Sequence, residues 1–235
     1  MFIDFETFSE RADNLRKLMD KACAAVGRSP AEVVLMPVTK TQPAAAAAYV
    51  ARYGLGAVGE NRVQEVMEKR PAVTAPLRWE LIGHLQSNKA KLAATHFDRI
   101  QSVDSTKLLE RLNRAAAELG RTLPVLLQFN SGHDPAKFGA ELTDADAMLE
   151  CALGQASLRV DGLMAIAPLG ATPGETSDLA RRTFTNLREL RERLAPAFGV
   201  PLRELSMGMT GDFAEAIAEG STLIRVGTAL FGSRA

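Results

Sequence analysis

Eight short apolar runs alternate with helical patterns along the chain, and no other feature constrains its fold as strongly. The runs fall at 33–38, 55–58, 79–83, 99–103, 123–129, 158–166, 203–207 and 222–227. The first, VVLMPV, is apolar throughout, as a strand covered on both faces of a parallel sheet must be. The spacing between runs predicts helices at 43–53, 60–70, 87–95, 105–119, 143–153, 176–194 and 211–219, with Ser105 and Thr143 as N-terminal caps and Gly220 as a stop. Ahead of the first run, Phe5, Phe8, Ala12, Leu15, Met19, Ala22 and Val26 form one apolar stripe on a long helix that Gly27 can end.

Parallel strands need crossover helices, and closing the sheet removes both edges, so the pattern predicts an α/β protein with a closed (β/α)8 barrel, the TIM barrel, and one additional N-terminal helix. A doubly wound open sheet is the alternative. Few residues follow the eighth run, so no final helix is expected and the N-terminal helix is expected to cover that gap. No linker, repeat or composition shift interrupts the chain, and residues 1–235 read as a single domain.

The charge balance excludes several partners. Lys and Arg total 28 against 28 Asp and Glu, with no basic cluster, so neither nucleic acid nor an anionic membrane is expected. No apolar run is long enough to span a bilayer, and the acidic start MFIDFETFSERADN does not resemble a signal peptide, so the expected location is the cytoplasm. Cys23 and Cys151 lack metal spacing and are expected to be buried free thiols.

Chemistry concentrates at the predicted C-terminal rim. Lys40 leaves the first strand in LMPVTKTQP, where partial desolvation favours the free amine that attacks an aldehyde; taken alone it reads as a solvated loop lysine, and the turns at the other end of the barrel change that reading. Two glycine-bearing turns, SMGMTG after strand seven and RVGT after strand eight, fit the phosphate site of barrels, although each alone could be a plain strand exit. Alternation gives Arg225 and Gly227 the same inward facing; a pyridine nitrogen or a neighbouring carboxylate would suit the arginine. Asn61, His84, Gln86 and Asn88 are polar residues of the same rim, Trp79 reads as core, and Lys137 lies in a loop after strand five, where it reads as solvated. None has the spacing of a metal site.

The segments VTKTQP, AVGENRVQE, WELIGHLQSNK, SVDS, GLMAIAP, LSMGMTGDFAEAI and GSTLIRVGTALFG, in this order, resemble the pyridoxal phosphate homeostasis proteins (the YggS/PROSC family), from about residue 33 to 232. The resemblance implies the fold of the alanine racemase N-terminal domain and pyridoxal 5′-phosphate (PLP) as cofactor, held as a Schiff base on Lys40. It implies phosphate contacts at Ser206, Met207, Gly227 and Thr228, Arg225 facing the pyridine nitrogen, and Asn61 near the ring. Thr210 stands where the family more often has serine, and NSGHDPAKFG replaces a longer loop after strand five.

The implied role is PLP homeostasis without an established reaction: a monomeric, non-catalytic protein that releases PLP to apo-enzymes or amines. The alternative is a PLP-dependent racemase-like enzyme. Two-base racemisation needs a proton donor and acceptor on opposite faces of the substrate; the racemases supply a tyrosine from a second domain, whereas Tyr49 and Tyr53 fall on the first crossover helix. A phosphosugar barrel without PLP would explain the phosphate turns but leave Lys40 unused.

Overall fold

A computed structural model describes residues 2–232. Its strands are β1 (Val34–Pro37), β2 (Ala57–Glu60), β3 (Arg78–Leu81), β4 (Arg99–Val103), β5 (Leu123–Gln128), β6 (Leu158–Met164), β7 (Glu204–Ser206) and β8 (Leu223–Val226). All pair in parallel, each with its sequence neighbour from β2 to β8, and β1 lies against β8 with Met36 opposite Arg225. The ring is completed by a bridge between Val38 and Gly59 and by Thr39 N–H donating to Gly59 O at 3.0 Å. The sheet is therefore a nearly closed barrel, and the open alternative does not hold.

Around it lie α1 (Phe5–Ala25), α2 (Ala44–Arg52), α3 (Val63–Lys69), α4 (Ala90–His96), α5 (Thr106–Glu118), α6 (Ala145–Leu153), α7 (Pro173–Phe198), α8 (Phe213–Ala218) and α9 (Thr228–Phe231). Asp4 caps α1 by accepting Thr7 N–H at 2.8 Å, and the stripe Phe8, Ala12, Leu15, Met19 and Cys23 is buried. Val26 is the exposed capping residue, and Gly27 takes the left-handed conformation (φ 68°) that ends the helix. This helix packs on α8 and α9: Phe8 stacks on Phe231 with centroids 5.3 Å apart, and Arg11 donates to Leu230 O at 3.3 Å. It thus covers the gap after β8 as expected.

Three expectations change. A short helix, α9, does follow β8. Thr143 is not a cap, because it sits inside a 3-10 turn (Leu142–Asp144) that leads into α6. Finally, α7 runs past both predicted ends: Thr172 accepts Glu175 N–H at 3.2 Å, Pro173 occupies the first position, and the helix continues through Pro196 to Gly199 at φ 65°.

Alternation divides the side chains of the strands. Val58, Trp79, Leu81, Ile100, Leu127, Leu205, Ile224 and Val226 face the helices and belong to one large apolar core. Inside the barrel, Met36, Val38, Ile82 and Leu223 form a small apolar cluster beside a buried polar column of Glu80, Arg99, Gln101, Ser206 and Arg225. Both cysteines are free; Cys23 is buried and Cys151 is half-buried. Among the described residues no helix is long and apolar enough to cross a membrane.

Candidate functional site

The C-terminal mouth of the barrel holds a cavity of about 580 Å³. Strand register explains who reaches it. Val38 faces the barrel interior and Thr39 the helices, so the half-buried Lys40 turns back toward the mouth. Val38 N–H donates to Val226 O at 2.8 Å, which places the exits of β1 and β8 side by side and brings Lys40 to the same cavity as Gly227 and Thr228. A Cβ on Gly227 would stand 3.2 Å from Val38 O, so this junction leaves little room for a side chain.

Across β8 from that junction, the turn after β7 is drawn tight. Gly208 has φ 95°, and a Cβ there would meet Ala216 Cβ at 2.5 Å, so the position requires glycine. Asp212 closes the turn by accepting Met209 N–H at 2.5 Å. Burial raises the Asp212 carboxyl above its ordinary range, against the opposing pull of Met209 N–H and Arg225. Met209, Thr210 and Gly211 consequently border the same cavity as Thr228.

Arg225 forms part of the cavity floor. Its Nη1 donates to Ser206 Oγ at 2.6 Å and its Nη2 to Ala165 O at 2.8 Å. Ser206 donates in turn to Gln101 Oε1 at 2.6 Å, and Gln101 Nε2 donates to Glu80 Oε2 at 2.6 Å. Arg99 completes the column by donating to Glu80 at 2.7 Å and also to Glu204. Burial pushes the Arg225 guanidinium down to about 10, with Asp212 opposing, which leaves it cationic at neutral pH.

The remaining walls come from β2, β3 and the loop after β5. Asn61 follows β2, and its backbone lies so close to Gly83 that a Cβ there would sit 2.4 Å from Asn61 O. His84 lines the rim with its Nδ1 3.1 Å from Asp104 Oδ2, and its ring stacks on Phe138 at 3.8 Å between centroids. Lys137 precedes Phe138 and also lines the cavity, half-buried rather than solvated.

Of the residues singled out from sequence, Lys40, Asn61, His84, Arg225, Gly227 and Thr228 meet at one cavity. Ser206 and Met207 do not line it. Ser206 is fully buried and spends its hydroxyl between Gln101 and Arg225, while Met207 points into the apolar core, because the strand still alternates at these positions. Gln86 and Asn88 are exposed outside the cavity, and Trp79 is core. Gln101 and Glu80 had not been singled out; a polar pair with Arg99 on the inward face of strands three and four was the available signal. Among the described residues no cluster of His, Cys, Asp or Glu could hold a metal ion.

The sequence profile of the alanine racemase N-terminal domain matches residues 9–235. A protein of Pseudomonas aeruginosa named pyridoxal phosphate homeostasis protein is 39% identical over 229 residues, 95% of each chain. The chain belongs to the pyridoxal phosphate homeostasis protein family, built on the alanine racemase N-terminal domain. The Escherichia coli K12 member is 39% identical over 237 residues, covering 95% of this chain and 96% of its own. Among solved structures, PipY of Synechococcus elongatus with PLP bound superposes with a TM-score of 0.80 at 42% identity, covering 96% of this chain and all of its own (100%). Alanine racemase of Clostridium difficile 630 shares the fold with a TM-score of 0.77 at 15% identity, and its match takes in 97% of this chain but 57% of the racemase.

Proposed function

We propose that this member of the family binds PLP in the barrel-mouth cavity as a Schiff base on Lys40 and serves intracellular PLP homeostasis, passing the cofactor to apo-enzymes or amines. The observation that carries the reading is the meeting of three complementary groups at one cavity: an amine at Lys40, a guanidinium at Arg225, and the hydroxyl-bearing and glycine-bearing turns at Thr210–Gly211 and Gly227–Thr228. These match an aldehyde, a pyridine nitrogen and a phosphate. The sequence identity to a PLP-bound relative supports the same assignment.

PLP brings an aldehyde for amines and a ring that can withdraw electrons from an attached carbon. In this chain Lys40 would hold the aldehyde end and Thr228, with the adjoining backbone, the phosphate. Asn61 lies at the wall of the cavity and would border the ring. Arg225 offers only donors and carries a positive charge, so a ring nitrogen facing it would stay unprotonated and the ring would be a weak electron sink. That favours storage over Cα chemistry. Tyr49 and Tyr53 pack among the aromatic rings of α1 instead of serving as proton donors at the cavity.

A racemase-like enzyme is the second reading, favoured by the His84–Asp104 pair at the rim, which could supply an acid or base. The experiment is to load the protein with PLP, reduce with borohydride and map the modified peptide, then to mix loaded protein with an apo PLP enzyme and with single enantiomers of amino acids. The homeostasis reading expects the adduct on Lys40, recovery of the apo-enzyme and no turnover. Modification chiefly at Lys89, Lys91 or Lys137 would sink the assignment, and repeated turnover abolished in Lys40→Ala would establish the enzyme.

A further inference from the structure

Thr39 and Thr41, the two residues that flank Lys40, are tied to one ion cluster on the outer side of β1 and β2. Lys69 of α3 donates from Nζ to Thr39 O at 2.8 Å, to Glu60 Oε1 at 2.8 Å and to Glu65 Oε2 at 2.9 Å. An ammonium has three N–H bonds, and all three are used. Thr39 Oγ1 donates to the same Glu60 oxygen at 2.6 Å, and Thr41 N–H donates to the same Glu65 oxygen at 2.6 Å.

Thr41 itself stands at φ 63°. A β-branched residue adopts this left-handed region only where its surroundings impose it. The tight turn Thr39–Gln42, closed by Gln42 N–H donating to Thr39 O at 3.0 Å, places Thr41 in this region, and the hydrogen bond to Glu65 holds its amide there. Glu65 and Lys69 lie one turn apart on α3, which itself packs against β2, so the β1 exit is held by a rigid element in addition to the hydrogen bond of its own turn.

Stability alone does not account for this arrangement. The Glu60 and Lys69 side chains are 0% and 9% exposed, and Glu60 Oε2 has no hydrogen-bond partner among the described residues. Burial raises the Glu60 carboxyl despite its bonds to Lys69 and Thr39. Apolar side chains of similar volume would hold β2 against α3 at least as well as a buried ion cluster does. The cluster and the strained threonine together fall on the one stretch of backbone that presents Lys40.

We infer that Glu65 and Lys69, with Glu60, are positioning residues for Lys40: from the far side of β1 they fix the peptide units before and after it, and so aim its amine into the cavity. This rests on the proposed attachment of PLP to Lys40. It goes beyond it by assigning a task to three residues that do not line the cavity.

The test compares Glu65→Ala, Glu65→Gln and the double variant Glu65→Ala/Thr41→Gly with the unmodified protein, reading PLP affinity and adduct formation by visible absorption, with thermal midpoints as a control on folding. Glu65→Ala should weaken PLP binding about tenfold, the scale of one released backbone strain. Glu65→Gln keeps an oxygen for Thr41 N–H and should stay within about twofold of the unmodified protein. Glycine adopts φ 63° without strain, so the double variant should recover most of the loss. A purely structural role would lower all three midpoints together and leave no rescue by glycine. Unchanged binding in Glu65→Ala overturns the inference. Should Glu65→Ala fail to fold, hydrogen exchange on the unmodified PLP-free protein decides: the Thr41 amide, in an exposed residue, should be protected, and unprotected exchange overturns the clamp. Absence of any Lys40 adduct in the unmodified protein would instead remove the proposed function, while Thr41 protection would still report on the clamp.

Discussion

Ser206 gives its single hydroxyl proton to Gln101 across 2.6 Å and thereby keeps a lone pair for Arg225. The direction is forced from below. The Glu80 carboxylate, already accepting from Arg99, takes the amide N–H of Gln101, so the Gln101 carbonyl must face Ser206. A side-chain amide buried at the centre of the barrel thus sets which way the serine behind Arg225 points.

Gln101→Leu should therefore disturb both stability and ligand binding. It leaves the Glu80 carboxylate one donor short and frees the Ser206 hydroxyl to rotate, and such buried losses cost about 1–3 kcal/mol each. Urea unfolding should show a destabilisation of that order. PLP affinity, measured well below the unfolding transition, should fall as Arg225 loses its fixed partner; unchanged affinity would mean that Ala165 O alone holds the guanidinium.

Thr228→Val keeps shape but removes a hydroxyl at the edge of the cavity. A hydrogen bond to a charged group contributes about 1.5–3 kcal/mol, so PLP affinity should drop by roughly 10- to 150-fold. Affinity equal to that of the unmodified protein would place the phosphate elsewhere.

Gly83→Ala introduces a Cβ 2.4 Å from Asn61 O and 2.8 Å from Asn61 Cα. A Cβ set against backbone atoms cannot be accommodated cheaply, so Asn61 must move and the variant should lose about 1–3 kcal/mol of stability. Weaker PLP binding should accompany it. Calorimetry and a spectroscopic titration check the two effects separately.

The apo-protein should show a pH signature at Asp212. Its folded carboxyl is raised by burial above the ordinary 3.8, so this group contributes most at pH values below 3.8, and that contribution is lost as pH rises through the folded value. Asp212→Asn keeps an oxygen for Met209 N–H but has no titration. Relative to the unmodified protein, its stability should therefore improve as pH goes from about 3 to about 7, measured by urea unfolding across that range. A gap that moves the other way would mean that Arg225 and Met209 N–H outweigh the burial.

The eight strands were readable because each is an apolar run bounded by a helical period, and the run at 99–103 matches β4 at both ends. Helix ends were less so. At α7, the first turn reads as loop because Thr172, Pro173 and Gly174 are turn formers, yet Thr172 caps and Pro173 fits the first helical position. In the site, Lys40, Arg225 and Thr228 were legible from their offset to strand ends. Ser206 and Met207, which the resemblance implied as phosphate contacts, have side chains away from the cavity, because the strand's alternation still governs both. Gln101 was hidden by its neighbours: within IQSV a single amide gives no sign of a partner 105 residues away in Ser206.

The packing of α1 across the end of β8 bears on the order in which the protein is made. Arg11 and Leu230, joined by a hydrogen bond, are 219 residues apart, and the β1–β8 ladder spans a similar distance. Neither contact can form until the last strand has left the ribosome. Every nascent chain short of that point carries an unpaired β1 edge and an α1 helix without the cover that Phe231 and α8 give it, which are the surfaces that chaperones bind and that aggregate when left waiting. Lys40 and Thr228 are brought together by that same closure, so the cavity they share comes into being only when synthesis of the barrel is complete.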